Sequence, residues 1–329
     1  MTNPPIALLL PGQGSQHPGM AVDLYRREPV FTEVMDEFFV HAGEHGAQVR
    51  TAWLDPDDHE TVHSGTHAQS LLFAIGYALG RTLADLGVRP IALLGHSAGE
   101  LAAAALAGVY DLPAAARIMA ARAHSLRLAP AGGMLAVAAA PEAALAHVRP
   151  EWAEAGVVLG AHNAPAQTVL AGPRDELAAT DGALRAAGLI TRAVRATEPW
   201  HSPVMGKATE EFTRAVSAES LAVPTTTVLS ARTARPVEPD EARDGEFWAG
   251  QMAAPVLFWP ALRALLADGD LTLVEAGPGA GLSVIARKHP AVRSGSSKVV
   301  ALLPPERKPT LPHWQASIER LVDLHAERD

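Results

Sequence analysis

The feature that most constrains this 329-residue chain lies at residues 91–107. An apolar run, Ile-Ala-Leu-Leu at 91–94, meets Gly95-His96-Ser97-Ala98-Gly99-Glu100 and continues without a break into the alanine-rich stretch 101–107. A short apolar run bounded by glycine reads as a buried strand, and the alanines have the propensity of a close-packed helix. Strand, glycine-flanked serine and helix in that order predict a sharp strand-to-helix turn in an α/β architecture. The glycines give the backbone the freedom that such a turn needs. The serine is then presented at a helix N-terminus, where the dipole favours negative charge and the amide of Ala98 can donate to an oxyanion. Taken alone, the same pattern also describes a glycine-rich turn with a helix-capping serine.

The rest of the chain supplies the layers. Residues 6–10 predict a buried strand that stops at Pro11-Gly12, residues 69–86 carry apolar side chains at helical spacing, and 91–94 is the next strand. From about Met134 the rhythm shortens: strand 134–137, helix 141–148, strands 157–161 and 168–171, helix 175–187 and strand 191–195. This βαββαβ order is the ferredoxin-like pattern. Beyond His201 the longer spacing returns, with helix 255–267, strand 271–276 ending in Glu275-Ala276-Gly277-Pro278-Gly279, and a terminal helix 314–326. The expected fold is α/β: a large α/β-hydrolase-like domain with a parallel sheet, residues 1–130 and 200–329, into which a small ferredoxin-like domain, 131–199, is inserted. A cleft between the two is where ligands usually bind.

Composition narrows the chemistry. With no cysteine in the chain, disulfides, thiolate metal sites and cysteine nucleophiles are excluded, so covalent catalysis falls to serine, threonine, lysine or a carboxylate. A net charge of −9 argues against non-specific binding to nucleic acid or to an anionic membrane. The first apolar run has five residues and no basic region before it, too short for a signal peptide or a membrane span, so a cytoplasmic protein is the expectation. His63 stands four residues from both His59 and His67, but the stretch reads as a polar loop without a matched carboxylate, and no metal is expected.

Other residues gain meaning from company. Gly12-Gln13-Gly14-Ser15-Gln16 follows the first strand and reads by itself as a strand-to-loop turn; His201 sits in Trp200-His201-Ser202-Pro203, where the chain should return to the cleft. With these motifs in this order, and the Glu275–Gly279 turn beyond them, nearly the whole chain resembles the malonyl-CoA:acyl carrier protein transacylases and the related acyltransferase domains of polyketide synthases, here read as a discrete, stand-alone member. The resemblance implies that Ser97 is acylated and that His201 is its base in a Ser–His dyad, with the imidazole oriented by a backbone carbonyl in the segment Gln251–Val256. It implies that Gln13 and Ala98 supply the two oxyanion amides and that His96 and Glu100 shape the turn. Arg122, twenty-five residues beyond Ser97, matches the arginine that holds a substrate carboxylate. A guanidinium does this with two parallel hydrogen bonds, although without the match Arg122 would read as a solvated helix residue. Gln69 and Asn163 match further pocket positions and would otherwise be capping or turn residues.

The resemblance implies no bound cofactor. Acyl-CoA and a phosphopantetheinylated acyl carrier protein are the implied substrates and partners, with malonyl as the leading acyl group and a ping-pong reaction in polyketide or fatty-acid biosynthesis. A monomer is expected. One stretch departs from the family. Where polyketide acyltransferases have His-Ala-Phe-His for malonyl or Tyr-Ala-Ser-His for methylmalonyl, this chain has Glu198-Pro199-Trp200-His201. The bulk of Trp200 should fit an α-methyl branch poorly. Glu198, if it faced the pocket, would compete for Arg122 and suit an amine. That keeps open a carrier-to-carrier aminoacyl or peptidyl transferase, and an editing hydrolase remains a third reading. Arg185, Arg192, Arg195, Arg287 and Lys288 are the expected basic residues for an acidic carrier, or else scattered solubilising charges.

Overall fold

The computed structural model describes residues 4–58, 60–305 and 309–326. In chain order the strands are β1 (Ile6–Leu10), β2 (Ala92–Gly95), β3 (Gly132–Val137), β4 (Val158–Ala164), β5 (Gln167–Pro173), β6 (Thr191–Ala193), β7 (Thr227–Ser230), β8 (Arg235–Pro236), β9 (Thr272–Glu275) and β10 (Lys298–Ala301). The larger sheet has the order β10-β9-β1-β2-β7-β8, parallel throughout except for the two-residue β8. Strand β1 shows why this sheet is covered on both faces. Its Ile6, Leu8 and Leu10 pack into the cluster that includes the helices Pro29–His41, Gly65–Asp85, Ala98–Leu106 and Leu112–Ser125, whereas Ala7 and Leu9 join the helix Phe258–Leu265 on the other side. Side chains alternate along a strand, so burial on both faces requires an apolar residue at every position.

The smaller sheet is antiparallel, in the order β4-β5-β3-β6, and the helices Pro141–Leu145, Pro150–Ala155 and Arg174–Ala186 complete the ferredoxin-like path. One face, with Leu135, Val137 and Leu170, packs on Leu177 and Leu184. The other carries Ala161, Ala164 and Val169 into the cluster of Trp259 and Leu262, so the small sheet rests on the large domain. Hydrogen bonds from His162 N–H to the Val256 carbonyl (2.8 Å) and from Val256 N–H to the Gly160 carbonyl (2.9 Å) stitch the two together.

Several expected elements move. The helix predicted over 141–148 ends at Leu145, and a separate helix starts at Pro150; the residue before that proline is driven out of helical geometry, so Arg149 is extended at φ −68°, ψ 153° and the two helices do not join. The helix predicted from 69 begins at Gly65, where the Ser64 hydroxyl accepts from the His67 N–H at 3.3 Å. His67 is therefore helical, and His63 closes a single 3-10 turn, Thr61–His63, so the stretch is not the expected polar loop; His59 lies outside the described residues. Strands β7, β8 and β10 have no counterpart in the sequence reading, being four residues or fewer with mixed exposure. Among the described residues no helix is long and apolar enough to cross a membrane.

Candidate active site

The site gathers at the carboxyl ends of the central parallel strands, with Gln13 just beyond β1 and Ser97 just beyond β2. Three glycines make the junction possible. A methyl at Gly95 would overlap the backbone of Glu100, one at Gly99 the carbonyl of Leu10, and one at Gly12 the carbonyl of His96. The turn and the loop after β1 thus touch backbone to backbone, and Ser97 is held at φ 53°, ψ −120°. Ala98 opens the helix Ala98–Leu106, so its N–H is one of those with no partner within the helix.

Ser97 Oγ lies 2.9 Å from His201 Nε2. The tautomer follows from the other side of the ring: Nδ1 faces the carbonyls of Gln251 (2.8 Å) and Ala254 (2.9 Å), which only accept, so the proton sits on Nδ1 and Nε2 is left to accept from the serine. The His201 N–H donates to the Met252 carbonyl at 2.8 Å, fixing backbone and ring to one loop. Burial is the main cause that lowers the imidazole pKa from 6.5 to about 4, with the charges of His96 and Arg122 adding to it. The ring is therefore neutral near pH 7. Among the described residues four non-glycine residues have positive φ, and Ser97 and His201 (φ 67°) are two of them. Backbone strain of this kind is retained where surrounding structure over-determines it, often at functional sites.

A second group adjoins this pair. Arg122, on the helix Leu112–Ser125, is 1% exposed; its Nε donates to Gln69 Oε1 at 2.6 Å, and Gln69 Nε2 donates to Gln13 Oε1 at 2.9 Å. Its Nη1 and Nη2 are buried and have no partner. Aromatic rings flank the guanidinium, Trp200 at 4.9 Å and Phe212 at 5.3 Å from its carbon. Burial lowers its pKa to about 9, which leaves it cationic near neutrality.

The other expected residues fall in distinct places. His96 Nε2 meets Asn163 Oδ1 at 2.8 Å, joining the serine turn to β4 of the small sheet. Glu100 is buried behind the turn; burial pushes its carboxyl up to about 7 against the opposing pull of Ser230 and Arg232. Gln251 contributes its backbone carbonyl, while both atoms of its side-chain amide are buried without partners. Glu198 does not pair with Arg122. Its Oε1 accepts from the Thr197 hydroxyl at 2.7 Å and its Oε2 lies against Gly65, the first residue of the helix Gly65–Asp85. Glu275 accepts from the N–H groups of Leu282 (3.0 Å) and Ser283 (2.7 Å), so it caps the helix Gly281–Ala286. Of the basic residues, Arg185 is paired with Asp181 and Lys288 donates to Gln167, whereas Arg192 and Arg195 are exposed. Among the described residues no cluster of three or more His, Asp or Glu side chains could hold a metal ion.

The expected segment Gln251–Val256 does orient the imidazole, through the carbonyls of both Gln251 and Ala254, with Met252 holding the backbone; Phe212 has no counterpart among the expected residues. Phe212 lies on the helix Gly206–Ser217, whose apolar spacing marks a buried face but not the arginine it covers. Backbone carbonyls that accept from a histidine leave no side-chain signature at all.

Comparison with known proteins agrees with this geometry. The acyl transferase domain model matches residues 8–318. The chain is 36% identical over 297 residues to a phenolphthiocerol/phthiocerol polyketide synthase component of Mycobacterium tuberculosis, covering 88% of this chain and 19% of that protein. It is 35% identical over 275 residues to the mycoketide-CoA synthase of Mycobacterium tuberculosis, covering 83% of this chain and 6% of that protein. The chain thus spans less than a fifth of these curated relatives. Among solved structures it is similar to the acyltransferase domain from the second module of the salinomycin polyketide synthase, with a TM-score of 0.87, 32% identity, and coverage of 96% of this chain and 73% of that one. A malonyl CoA-acyl carrier protein transacylase from Clostridium perfringens shares the fold, with a TM-score of 0.85 over 98% of each chain at 20% identity.

Proposed function

The chain belongs to the acyl transferase domain family, and from that premise we propose that it moves a malonyl unit from coenzyme A to the phosphopantetheine thiol of an acyl carrier protein through an ester on Ser97. The observation that carries the choice of acyl group is Arg122: a cation sealed among aromatic rings beside the Ser97–His201 pair, with both Nη nitrogens lacking any acceptor. A buried charge left unpaired is costly, and a carboxylate accepting from both Nη atoms relieves it.

In the first half-reaction the Ser97 hydroxyl gives its proton to His201 Nε2 as Oγ attacks the thioester carbonyl. The carbonyl oxygen gathers charge beside the amides of Ala98 and Gln13, the C–S bond breaks, and His201 returns the proton to the departing thiolate of coenzyme A. In the second, His201 takes the proton of the carrier's thiol, the sulfur attacks the ester, and the C–O bond breaks with Oγ reprotonated. All of these groups come from one chain, so a monomer suffices. No cofactor enters, and coenzyme A thioesters as substrates make the cytoplasm the expected compartment.

Intact-protein mass spectrometry after incubation with malonyl-CoA tests the reading. A malonyl adduct that is absent in Ser97→Ala and discharged by a phosphopantetheinylated carrier supports it. Discharge to free malonate at an equal rate without the carrier would instead mark a hydrolase.

A further inference from the structure

The two halves of the dyad stand on different supports. Ser97 follows β2, whereas the carbonyls that hold the His201 ring belong to the turn that follows the helix Gly245–Ala249. Arg232 spans the two. It lies two residues beyond β7, which pairs with β2 through Leu229 and Leu94. The backbone beneath it is fixed: the Arg232 N–H donates to the Ser230 hydroxyl oxygen at 3.0 Å, and the Leu257 N–H donates to the Ala231 carbonyl. Glu100, in the serine turn, has the Ser230 hydroxyl and the Ala231 backbone as hydrogen-bond partners. From this base the side chain reaches the other support. Arg232 Nη1 donates to the Phe247 carbonyl at 2.8 Å, and the guanidinium carbon lies 5.5 Å from the centre of the Phe247 ring. The guanidinium also lies against Gly250, where a β-carbon would stand 2.9 Å from Nη1 and 3.1 Å from Cζ and Nη2. Gly250 has helical dihedrals, φ −59° and ψ −17°, that any residue adopts, so the bare backbone there makes room for the guanidinium and does not serve the turn.

The residue after Gly250 is Gln251, whose carbonyl accepts from His201 Nδ1 together with that of Ala254, while Met252 between them accepts from the His201 N–H. Little else secures this turn. Both atoms of the Gln251 amide lack partners, and an open cleft of about 640 Å³ lined by Arg232, Gly250, Ala253 and Ala254 borders it. We infer that Arg232 is a positioning residue for the Ser97–His201 pair: its guanidinium ties the segment 247–254 to the sheet that carries the serine, and so fixes the carbonyls that keep the imidazole proton on Nδ1. The inference rests on the covalent route through Ser97 proposed above. A donor that carries charge makes a stronger hydrogen bond to a carbonyl than a neutral one does, and catalytic geometry depends on groups that lock the reacting side chains from behind. Because Arg232 touches the turn and not the acyl end of the site, its loss slows every thioester alike.

Two variants break the tie from opposite sides. Arg232→Met keeps an apolar stem against Phe247 and removes the donors, whereas Gly250→Ala keeps Arg232 and pushes the end of its side chain off the Phe247 carbonyl. Single-turnover acylation by malonyl-CoA and by acetyl-CoA is followed in both, alongside the NMR signals of the His201 ring nitrogens, assigned by their loss in His201→Gln. The limiting rate falls about tenfold for both thioesters, the scale of one hydrogen bond from a charged group, with the half-saturating concentrations unchanged. The ring signals move from the form protonated on Nδ1 towards a mixture of the two tautomers. Unaltered rates in both variants, a rate loss with the proton still wholly on Nδ1, or a rise in half-saturating concentration in place of a rate loss overturns the role of Arg232. Should Arg232→Met not fold, Gly250→Ala decides by the same readings. The ring signals need no substrate, so an unaltered protein that takes no acyl group overturns the function proposed above, while the spectrum still decides whether Arg232 sets the tautomer.

Discussion

At Ser97 and His201 the reacting atoms already have partners inside the protein, whereas at Arg122 and Trp200 the outermost donors have none. The two ends of one site are built on opposite plans. The first is fixed by backbone: strained φ values, glycines in contact, and carbonyls that set the imidazole tautomer. Its geometry is complete before any substrate arrives, which is the arrangement that lowers reorganisation during reaction. The second end is held by packing but leaves buried donors with no acceptor in the protein, a demand that a carboxylate would meet under the function proposed above. Damage at the first end should therefore cost the same for every acyl group, and damage at the second should cost only the acyl groups that use it.

The largest expected effect tests the first half of that contrast. Ser97→Ala and His201→Ala should each lower acylation by about 10⁴-fold or more, for malonyl-CoA and acetyl-CoA alike, and the double variant should be no worse than either single, since residues acting as one unit are not additive. Rapid-quench mass spectrometry reads all three. An additive double variant would mean that the two side chains act independently. The same pair dictates the pH dependence. Because the His201 pKa is lowered to about 4, the neutral base persists well below the ordinary 6.5 and is lost only as pH falls through about 4. Acylation rate against pH should then be flat from about 5 to 8 and fall near 4; a midpoint at 6.5 would show that burial does not govern this ring.

Breaking the second end should be selective. Arg122→Ala is expected to lower kcat/KM for malonyl-CoA by about 10²- to 10³-fold and to change acetyl-CoA acylation by less than about threefold. Arg122→Lys should recover little, because one ammonium cannot reproduce the Nε bond to Gln69 together with a two-pronged grip on a carboxylate. Equal losses for both thioesters would erase the contrast, since Arg122 would then matter to folding or to the dyad and not to the acyl end.

Legibility in the sequence follows the same division. The strand, serine turn and helix at 91–107 were readable because glycines and an apolar run are local signals, and the small sheet was readable because its elements alternate regularly. Strands β7 and β10 escaped because four residues, three of them buried in β7 and one in β10, are too short a run to separate from a loop. Ser97, His201 and Arg122 were legible through motif and resemblance, and the structure brings them together. Their finer settings were not. The carbonyls of Ala254 and Met252 are backbone atoms that any residue would supply, and the cover of Arg122 by Phe212 depends on a helix crossing far along the chain. Glu198 is a charged residue whose nearness in sequence to His201 suggests a pocket role; its Oε1 accepts from Thr197, and its Oε2 lies against Gly65, buried and without a hydrogen-bond partner.

The smallest expected effect belongs to that glutamate and sharpens where the second end stops. With Oε1 on the Thr197 hydroxyl and Oε2 at the head of the helix Gly65–Asp85, Glu198 is placed to interact with the positive end of the helix dipole, a contribution of about 0.3–1 kcal/mol to stability. Glu198→Gln keeps the size and the hydroxyl contact while removing the charge. Malonyl-CoA acylation should change by less than about twofold, with a thermal midpoint lowered by a few degrees at most. Transfer from an aminoacyl-loaded carrier, measured alongside, is the discriminating arm. A pocket in which Glu198 held an ammonium would lose that transfer in the glutamine variant while gaining malonyl transfer from the relieved repulsion. That pair of changes would extend the recognition end from Arg122 to the residues before Trp200. Their absence confines recognition to the sealed donors around the guanidinium.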